Sequence, residues 1–511
     1  MAGAIAVVIV IALTGGLLLT QGQRSPAESL RAASASPRPT AIENASASAP
    51  IPQIPIPTFG GAIGVPWPQD VPIGKTKVVW FIGLGAGEAP NQLETEMAFI
   101  DKYNATNKDN IFLQPRLLGS GGNSTNTLTD DLTAGSFDVV GPLGIQGRAS
   151  TLKSDWLDLT DEITKNKTDL SAYSPAQLKT FIDSAGQYRS LPYIEYPAFI
   201  FYNKDLFASA GLPDLPTQVG EKYMGQDWTW NELATIAKQL TVDVNYRKST
   251  DAGFDPSHIR TYGFDTQWVN DLRRLATPWG AGSYAAGDGT TAQIPPVWAQ
   301  AWKWYYDAMW TFHFAPTAGE RNASDMGTGA TVATGRVAMD LAWSWGISSF
   351  GATTNAGKPA SKYAGWDMGV LPSNNGATTD PIDTDSFVIN KYSKNPDAAY
   401  KAMLAIMADP SLVAAYGGMP ADPSLQPVYF KTAQAAVDAQ FANNPIAWSV
   451  ITAMERYAAS PTHEAAVPNY VRAITDDQAL YTRLQSKPGL NLNTEIANFK
   501  AKLQADFNST G

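Results

Sequence analysis

The chain has 511 residues, with 37 Lys and Arg against 47 Asp and Glu, a formal net charge of -10 and no cysteine. An acidic balance without a dense basic tract excludes a nucleic-acid partner, because such binding runs on phosphate neutralisation by Lys and Arg. The missing cysteine excludes disulfides, thiolate metal sites, cysteine nucleophiles and a lipid-bearing cysteine. With 44% apolar residues the chain buries sizeable cores, and since one core stops growing near about 250–300 residues, at least two domains are expected.

Residues 1–23 carry no charge and are almost wholly apolar from Ala2 to Thr20. That is about the length of 20 residues that a helix needs to span a membrane, so the segment is expected to be a signal peptide or an N-terminal membrane anchor. Residues 24–74 are rich in Ser, Ala and Pro. Such composition buries too little apolar area to offset its ordering entropy, and it predicts a disordered spacer before a functional body.

The body opens with the apolar run Lys77–Gly83 and the glycine loop GLGAGEAP, followed by a helical pattern over Asn91–Tyr103. A strand at Ile111–Leu117, the loop GSGGN, a helix over Ser124–Ala134 and a strand at Phe137–Gly141 come next. Strand and helix in alternation predict an α/β fold with a parallel sheet and crossover helices. Ligands of such sheets sit beyond the carboxyl ends of the strands, which marks the loops at Gly83–Pro90, Gly119–Asn123 and Pro142–Arg148. Two more strands are expected at Tyr188–Tyr193 and Ala198–Tyr202, with Ile194–Pro197 as a turn between them. Helices follow at Trp230–Leu240, Val297–Phe312 and Ser324–Thr334, then strands at Val337–Ala342, Trp366–Leu371 and Ser386–Asn390. The chain closes with helices at Pro396–Ala408, Thr432–Ala442, Ile446–Ala459 and Leu492–Phe507.

Six blocks in this order carry a resemblance. They are VVW at Val78–Trp80, AGSFDVV at Ala134–Val140, YRSLPY with FIFYNKDLFASAGL ending at Leu212, WTWNEL at Trp228–Leu233, GRVAM at Gly335–Met339, and SKNPDAAYKAMLAIMADP at Ser393–Pro410. Together they make the body resemble the extracellular solute-binding proteins of ABC importers, in the carbohydrate-type family 1 related to maltose-binding protein. The resemblance implies a type II periplasmic-binding-protein fold, a two-lobed clamp with three interlobe crossings near Tyr202, Asp385 and Met419 and a ligand cleft between lobes. Lobe 1 is then expected over residues 75–202 and 386–418, and lobe 2 over 203–385 and 419–511. It also implies a sugar or oligosaccharide ligand, ABC permease subunits as partners, an extracytoplasmic monomer, and no enzymatic activity or cofactor.

A sugar presents apolar C–H faces and a polar rim, so its binder needs flat aromatic rings and fixed polar groups. Trp343 and Trp345 flank Ser344 after a strand, and the resemblance places ligand-contacting tryptophan there. Trp268, Asn270 and Trp279 flank the segment DLRRLATP; Glu195 and Tyr196 occupy the expected turn before the first crossing. Asp383 and Asp385 stand in TTDPIDTDSF, where carboxylates accept strong hydrogen bonds from vicinal hydroxyls, and Glu88 in the first loop is a weaker candidate for the same part. For each of these the competing reading is core packing or a polar turn. A metal site is not expected, because only His258, His313 and His463 are present and no two have ligand spacing. Two other functions use the same residues: a glycoside hydrolase acting through a carboxylate pair such as Glu195 and Asp383, and a sensor that passes the closed clamp to a membrane kinase.

Overall fold

A strand covered on both faces needs an unbroken apolar run, because both sets of alternating side chains must find a core. Thr76–Ile82 shows this directly: Val78, Trp80 and Ile82 enter the principal core, while Val79 and Phe81 join Phe137, Val140 and Val388 in a second cluster. The computed structural model describes residues 70–82, 87, 90–117, 132–144, 155–173, 178, 181–183, 185–326, 330–351, 365–431, 433, 446–459, 462–465 and 467–509. The apolar segment 1–23, the spacer up to residue 69, Glu88, the GSGGN loop and most of the expected helices at 124–134 and 432–442 lie outside the described residues. Among the described residues no single helix is long and apolar enough to cross a membrane.

Two sheets organise the body. The larger has six strands in the order Met419–Pro420, Leu191–Tyr196, Asp383–Ile389, Val139–Gly144, Thr76–Ile82, Ile111–Leu117. Thr76–Ile82 runs parallel to both of its neighbours, as the alternation of strand and helix predicts, whereas Asp383–Ile389 is antiparallel to the strands on either side of it. The sheet is therefore mixed rather than wholly parallel. The smaller sheet centres on Ala198–Asn203, with Met339–Trp343 and Trp366–Gly369 antiparallel on its two sides.

Strand pairing moves the expected landmarks. The chain leaves the large sheet at Tyr196 and enters the small one at Ala198, so Pro197 joins the two sheets. Asp383 and Asp385 already pair within the large sheet, and so does Met419, against Glu195. Ile194–Pro197 is correspondingly not an open turn: Glu195 and Tyr196 finish a buried strand held between Asp383–Ile389 and Met419–Pro420. Gly418 makes this approach possible, because a Cβ there would lie 2.0 Å from Ile194 Cγ2 and 2.4 Å from the Tyr196 ring.

Helix starts follow their caps. Asn203 accepts from Leu206 N and starts Lys204–Ser209; Thr229 accepts from Glu232 N and starts Trp230–Leu240; Asp271 accepts from Arg274 N and starts Leu272–Ala276. The single helix expected at Ser324–Thr334 is replaced by two short 3-10 turns, Ser324–Met326 and Thr331–Thr334, in a segment of Gly and Thr with weak helix propensity.

Tyr470–Ser486 is a helix that the apolar pattern does not announce, since its inward stripe of Tyr470, Ala473, Leu480 and Leu484 is interrupted by the fully buried Asp477. That carboxylate accepts from Leu272 N at 2.5 Å and from the Tyr284 hydroxyl at 2.7 Å, and lies 3.9 Å from the Arg273 guanidinium. Removing one partner of a buried charge network leaves the others without compensation. Asp477→Ala is expected to cost about 3–5 kcal/mol of stability, measured by denaturant unfolding; a change under about 1 kcal/mol would show that water replaces the carboxylate.

Candidate functional site

The site is built where the returning strand of the large sheet meets the end of the small sheet. Asp383, the first residue of that strand, receives donors from three separate segments. Arg274 Nη2 lies 3.1 Å from Oδ1 and 3.3 Å from Oδ2, His463 Nε2 lies 2.7 Å from Oδ1, and the Trp345 indole N–H donates to Oδ2 at 3.3 Å. Burial by itself would push the Asp383 carboxyl up, but the Arg274 guanidinium, with the hydrogen bonds from His463 and Trp345, holds it below the usual carboxylate range. Burial pushes the His463 imidazole down against the pull of Asp383. A neutral His463 donating from Nε2 to an ionised Asp383 is consistent with both directions.

Aromatic rings layer above this carboxylate. Trp343 and Trp345 lie parallel, 4° between planes and 6.1 Å between centroids; the Arg274 guanidinium sits 4.9 Å over Trp343, and Trp268 meets Trp345 edge-on at 5.2 Å. Gly346 leaves the room: a Cβ there would come within 3.1 Å of Trp268 and 3.2 Å of Phe201.

The two tryptophans expected as a stacking platform divide here. Trp343 is wholly buried and its indole N–H donates to Pro381 O at 2.6 Å, so it packs the core beneath the site. Trp345 and Trp268 are half-buried and Asn270 is exposed, which keeps all three within reach of solvent. Trp279 is also corrected to core: it is 4% exposed and stacks on Trp230 at 5.1 Å and 12°. Tyr196 is buried with its hydroxyl on Asp385 Oδ2 at 3.3 Å, and Glu195 is buried within the strand, so neither occupies the open turn expected for it. Asp383 is engaged on both oxygens by protein donors and does not stand open toward solvent hydroxyls. Glu88 lies outside the described residues.

Arg274, His463 and Glu464 belong to the cluster without having been singled out from the sequence. Glu464 Oε2 accepts from Thr384 N at 2.8 Å, which ties the segment 462–465 to the same strand. Asp383, His463 and Glu464 bring one ligand-type atom each within 4.8 Å of one another. Asp383 already accepts from Arg274, His463 and Trp345, and Glu464 Oε2 from Thr384 N. One turn beyond Arg274, Thr277 opens onto a groove of about 350 Å³ that is also lined by Thr378, Thr379 and Tyr457.

A family model described as bacterial extracellular solute-binding protein matches residues 89–408. Among solved structures, the chain is similar to UspC of M. tuberculosis, with 21% identity, a TM-score of 0.58, and coverage of 84% of this chain and 100% of that one. It is similar to the sugar-binding protein MalE of Xanthomonas citri at 16% identity and a TM-score of 0.61, over 84% and 97% of the two chains. A cyclic alpha-maltosyl-1,6-maltose binding protein of Arthrobacter globiformis matches at 14% identity and a TM-score of 0.61, over 85% and 99%. No curated protein matches the sequence. The shared architecture is the α/β two-lobed clamp of type II periplasmic binding proteins, with three crossings and a cleft between lobes.

Asp385 titrates differently from Asp383. Burial, and after it the neighbouring Asp383 charge, push its carboxyl from 3.8 up to about 7. A raised value in the folded state means that folding retains a proton the unfolded chain has released. The stability from this group is therefore fully present below the unfolded value and is lost as pH rises through about 7. Asp385→Asn is expected to flatten that decline, seen as a smaller difference in unfolding midpoint between about pH 4 and about pH 8 than in the parent protein. Equal pH sensitivity in the two proteins would assign Asp385 an ordinary carboxylate value.

Proposed function

We propose, for a chain that belongs to the bacterial extracellular solute-binding proteins, the capture of a sugar or oligosaccharide between its lobes and delivery of that cargo to an ABC permease. The observation that carries this reading is Trp345, an indole held half-exposed between Trp268 and Trp343 with its N–H fixed on Asp383. A ring so held offers a flat apolar surface for a sugar's C–H face, and the exposed Asn270 supplies amide donors and acceptors for its hydroxyl rim. The sugar and oligosaccharide binders of similar fold support the same cargo class. The sheet memberships support a first lobe on the six-stranded sheet and a second on the three-stranded sheet, with passages at Pro197, just before Asp383, and beyond Pro420.

Closure around ligand follows hinge logic: a ligand that touches both lobes stabilises the closed state by the contacts it makes only there. Binding then needs no bond-making step, and we read the protein as a monomeric receptor rather than an enzyme. Glu195 and Asp383, the carboxylate pair of the hydrolase reading, lie on adjacent strands, Glu195 buried and Asp383 part-buried and neutralised by Arg274. Residues 1–23 would export the body or anchor it to the outer face of the membrane.

A thermal-shift screen of the protein against mono- and oligosaccharides, polyols, amino acids and peptides tests the cargo class. A true ligand at a hundredfold excess over Kd adds about 2.7 kcal/mol of stability, and a response confined to a non-sugar class would overturn the assignment. With the responding saccharide, Trp345→Ala is expected to weaken binding by about 1–3 kcal/mol. Trp343→Ala is expected instead to lower the melting temperature through a core cavity. Titration calorimetry and thermal unfolding of both variants separate the two roles, and the reverse pattern would exchange them.

A further inference from the structure

We infer that Arg274 and His463 are positioning residues that act through Asp383 to fix the rotation of the Trp345 ring within its plane. For what the ring meets, the inference rests on the sugar-binding reading above; for the coupling itself it rests on geometry alone.

An indole at the end of a strand has two soft torsions, and stacking on one neighbour restrains its tilt better than its rotation in the ring plane. Trp345 is parallel to Trp343 at 4°, and Trp268 touches it edge-on. The rotation that these contacts leave soft is the one its N–H bond to Asp383 Oδ2 fixes. That bond is only as directional as the carboxylate that accepts it, and Asp383 cannot turn freely. Arg274 reaches both of its oxygens and His463 donates to Oδ1 at 2.7 Å, so swinging Oδ2 away from Trp345 breaks at least one charge-assisted bond.

Arg274 restrains the ring by a second route. Its guanidinium lies 4.9 Å over Trp343, the indole that stacks on Trp345, so the cation also packs on the ring's stacking partner. Asp271 fixes Arg274 in turn: it caps the helix start by accepting from Arg274 N at 2.8 Å, and its Oδ2 lies 3.7 Å from the guanidinium Nε. His463 has no exposed side-chain surface, and its Nδ1 has no hydrogen-bond partner among the described residues. Its one polar contact is therefore spent on Asp383. A ring set in place before ligand arrives loses less freedom on binding, which is how residues that never touch a sugar would raise affinity for it.

The test uses the full chain labelled with ¹⁵N-tryptophan, with the Trp345 indole N–H signal identified by its loss in Trp345→Phe. His463→Leu and Arg274→Gln are expected to shift that signal and speed its solvent exchange, whereas His463→Gln, which keeps a donor, restores it toward the parent position. The surface change Lys165→Ala serves as the control that leaves it in place. Where the leucine variant does not fold, Asp383→Asn takes its part and must shift the same signal. With maltotriose as the probe, His463→Leu should weaken binding at least about threefold in the parent and have no effect in a Trp345→Ala background. An indole signal unmoved by both His463→Leu and Arg274→Gln, or losses that simply add in the double variant, would overturn the positioning role. The expected signal changes in a protein that binds no saccharide would uphold positioning and overturn the sugar-binding reading.

Discussion

The molecule turns on a part-buried carboxylate at the junction of two sheets. Asp383 begins the strand by which the chain returns to the six-stranded sheet, and an ionised group in that position needs compensating donors close by. They arrive from the Leu272–Ala276 helix, from the turn after Met339–Trp343, and from the segment 462–465. Three stretches far apart in sequence are thereby held at one point. A buried ion pair is weak evidence for net stability, because an apolar replacement of similar volume is often as stable. What apolar packing does not supply is direction, and here direction is what brings Arg274, His463 and Trp345 to fixed angles around one group.

The same device recurs away from the junction. Asp477 sits at the centre of an otherwise apolar helix face and gathers Leu272 N, the Tyr284 hydroxyl and Arg273. Asp265 takes the Arg321 guanidinium, which also reaches Gln485 Oε1 at 2.9 Å on the Tyr470–Ser486 helix. The acidity of the chain is thus partly internal. Its buried carboxylates accept from backbone and arginine donors and tie the C-terminal helices to the body that carries the small sheet. This gives that body a scaffold on which an aromatic ring can be held still.

How much of this the sequence shows depends on whether a feature is local. Unbroken apolar runs such as Val78–Ile82 and Phe199–Tyr202 are legible because both faces of the strand are covered, and ordered blocks from Trp80 to Pro410 identify the clamp. The carboxylate cluster is not legible. Arg274 precedes Asp383 by 109 residues and His463 follows it by 80, so no spacing rule joins them. The segment Ile194–Pro197 reads as a turn because Glu195 and the prolines around it suggest exposure, yet the strands on both sides bury it. Asp477 hides a helix for a related reason, since a charge at the centre of the inward stripe breaks the apolar period. Trp343 and Trp345 look equivalent in sequence because alternation gives them the same side. They separate only because the strand ends at Trp343 and the chain then enters a 3-10 turn, leaving one ring under the other.

In the proposed clamp the Asp383 network lies at the pivot between lobes, and that has a particular consequence for closure. Groups at the pivot move little between open and closed states, so their contacts with a ligand are nearly the same in both. A contact that is equal in both states adds affinity without favouring closure. Trp345 and its supports would then set the strength of first capture, by presenting a rigid ring. The bias toward the closed state has to come from groups farther from the pivot. On this argument affinity and closure are encoded in different parts of the chain. A change at Trp345 should alter how tightly the cargo is held in either state, and a change farther from the pivot should alter whether the held cargo closes the clamp.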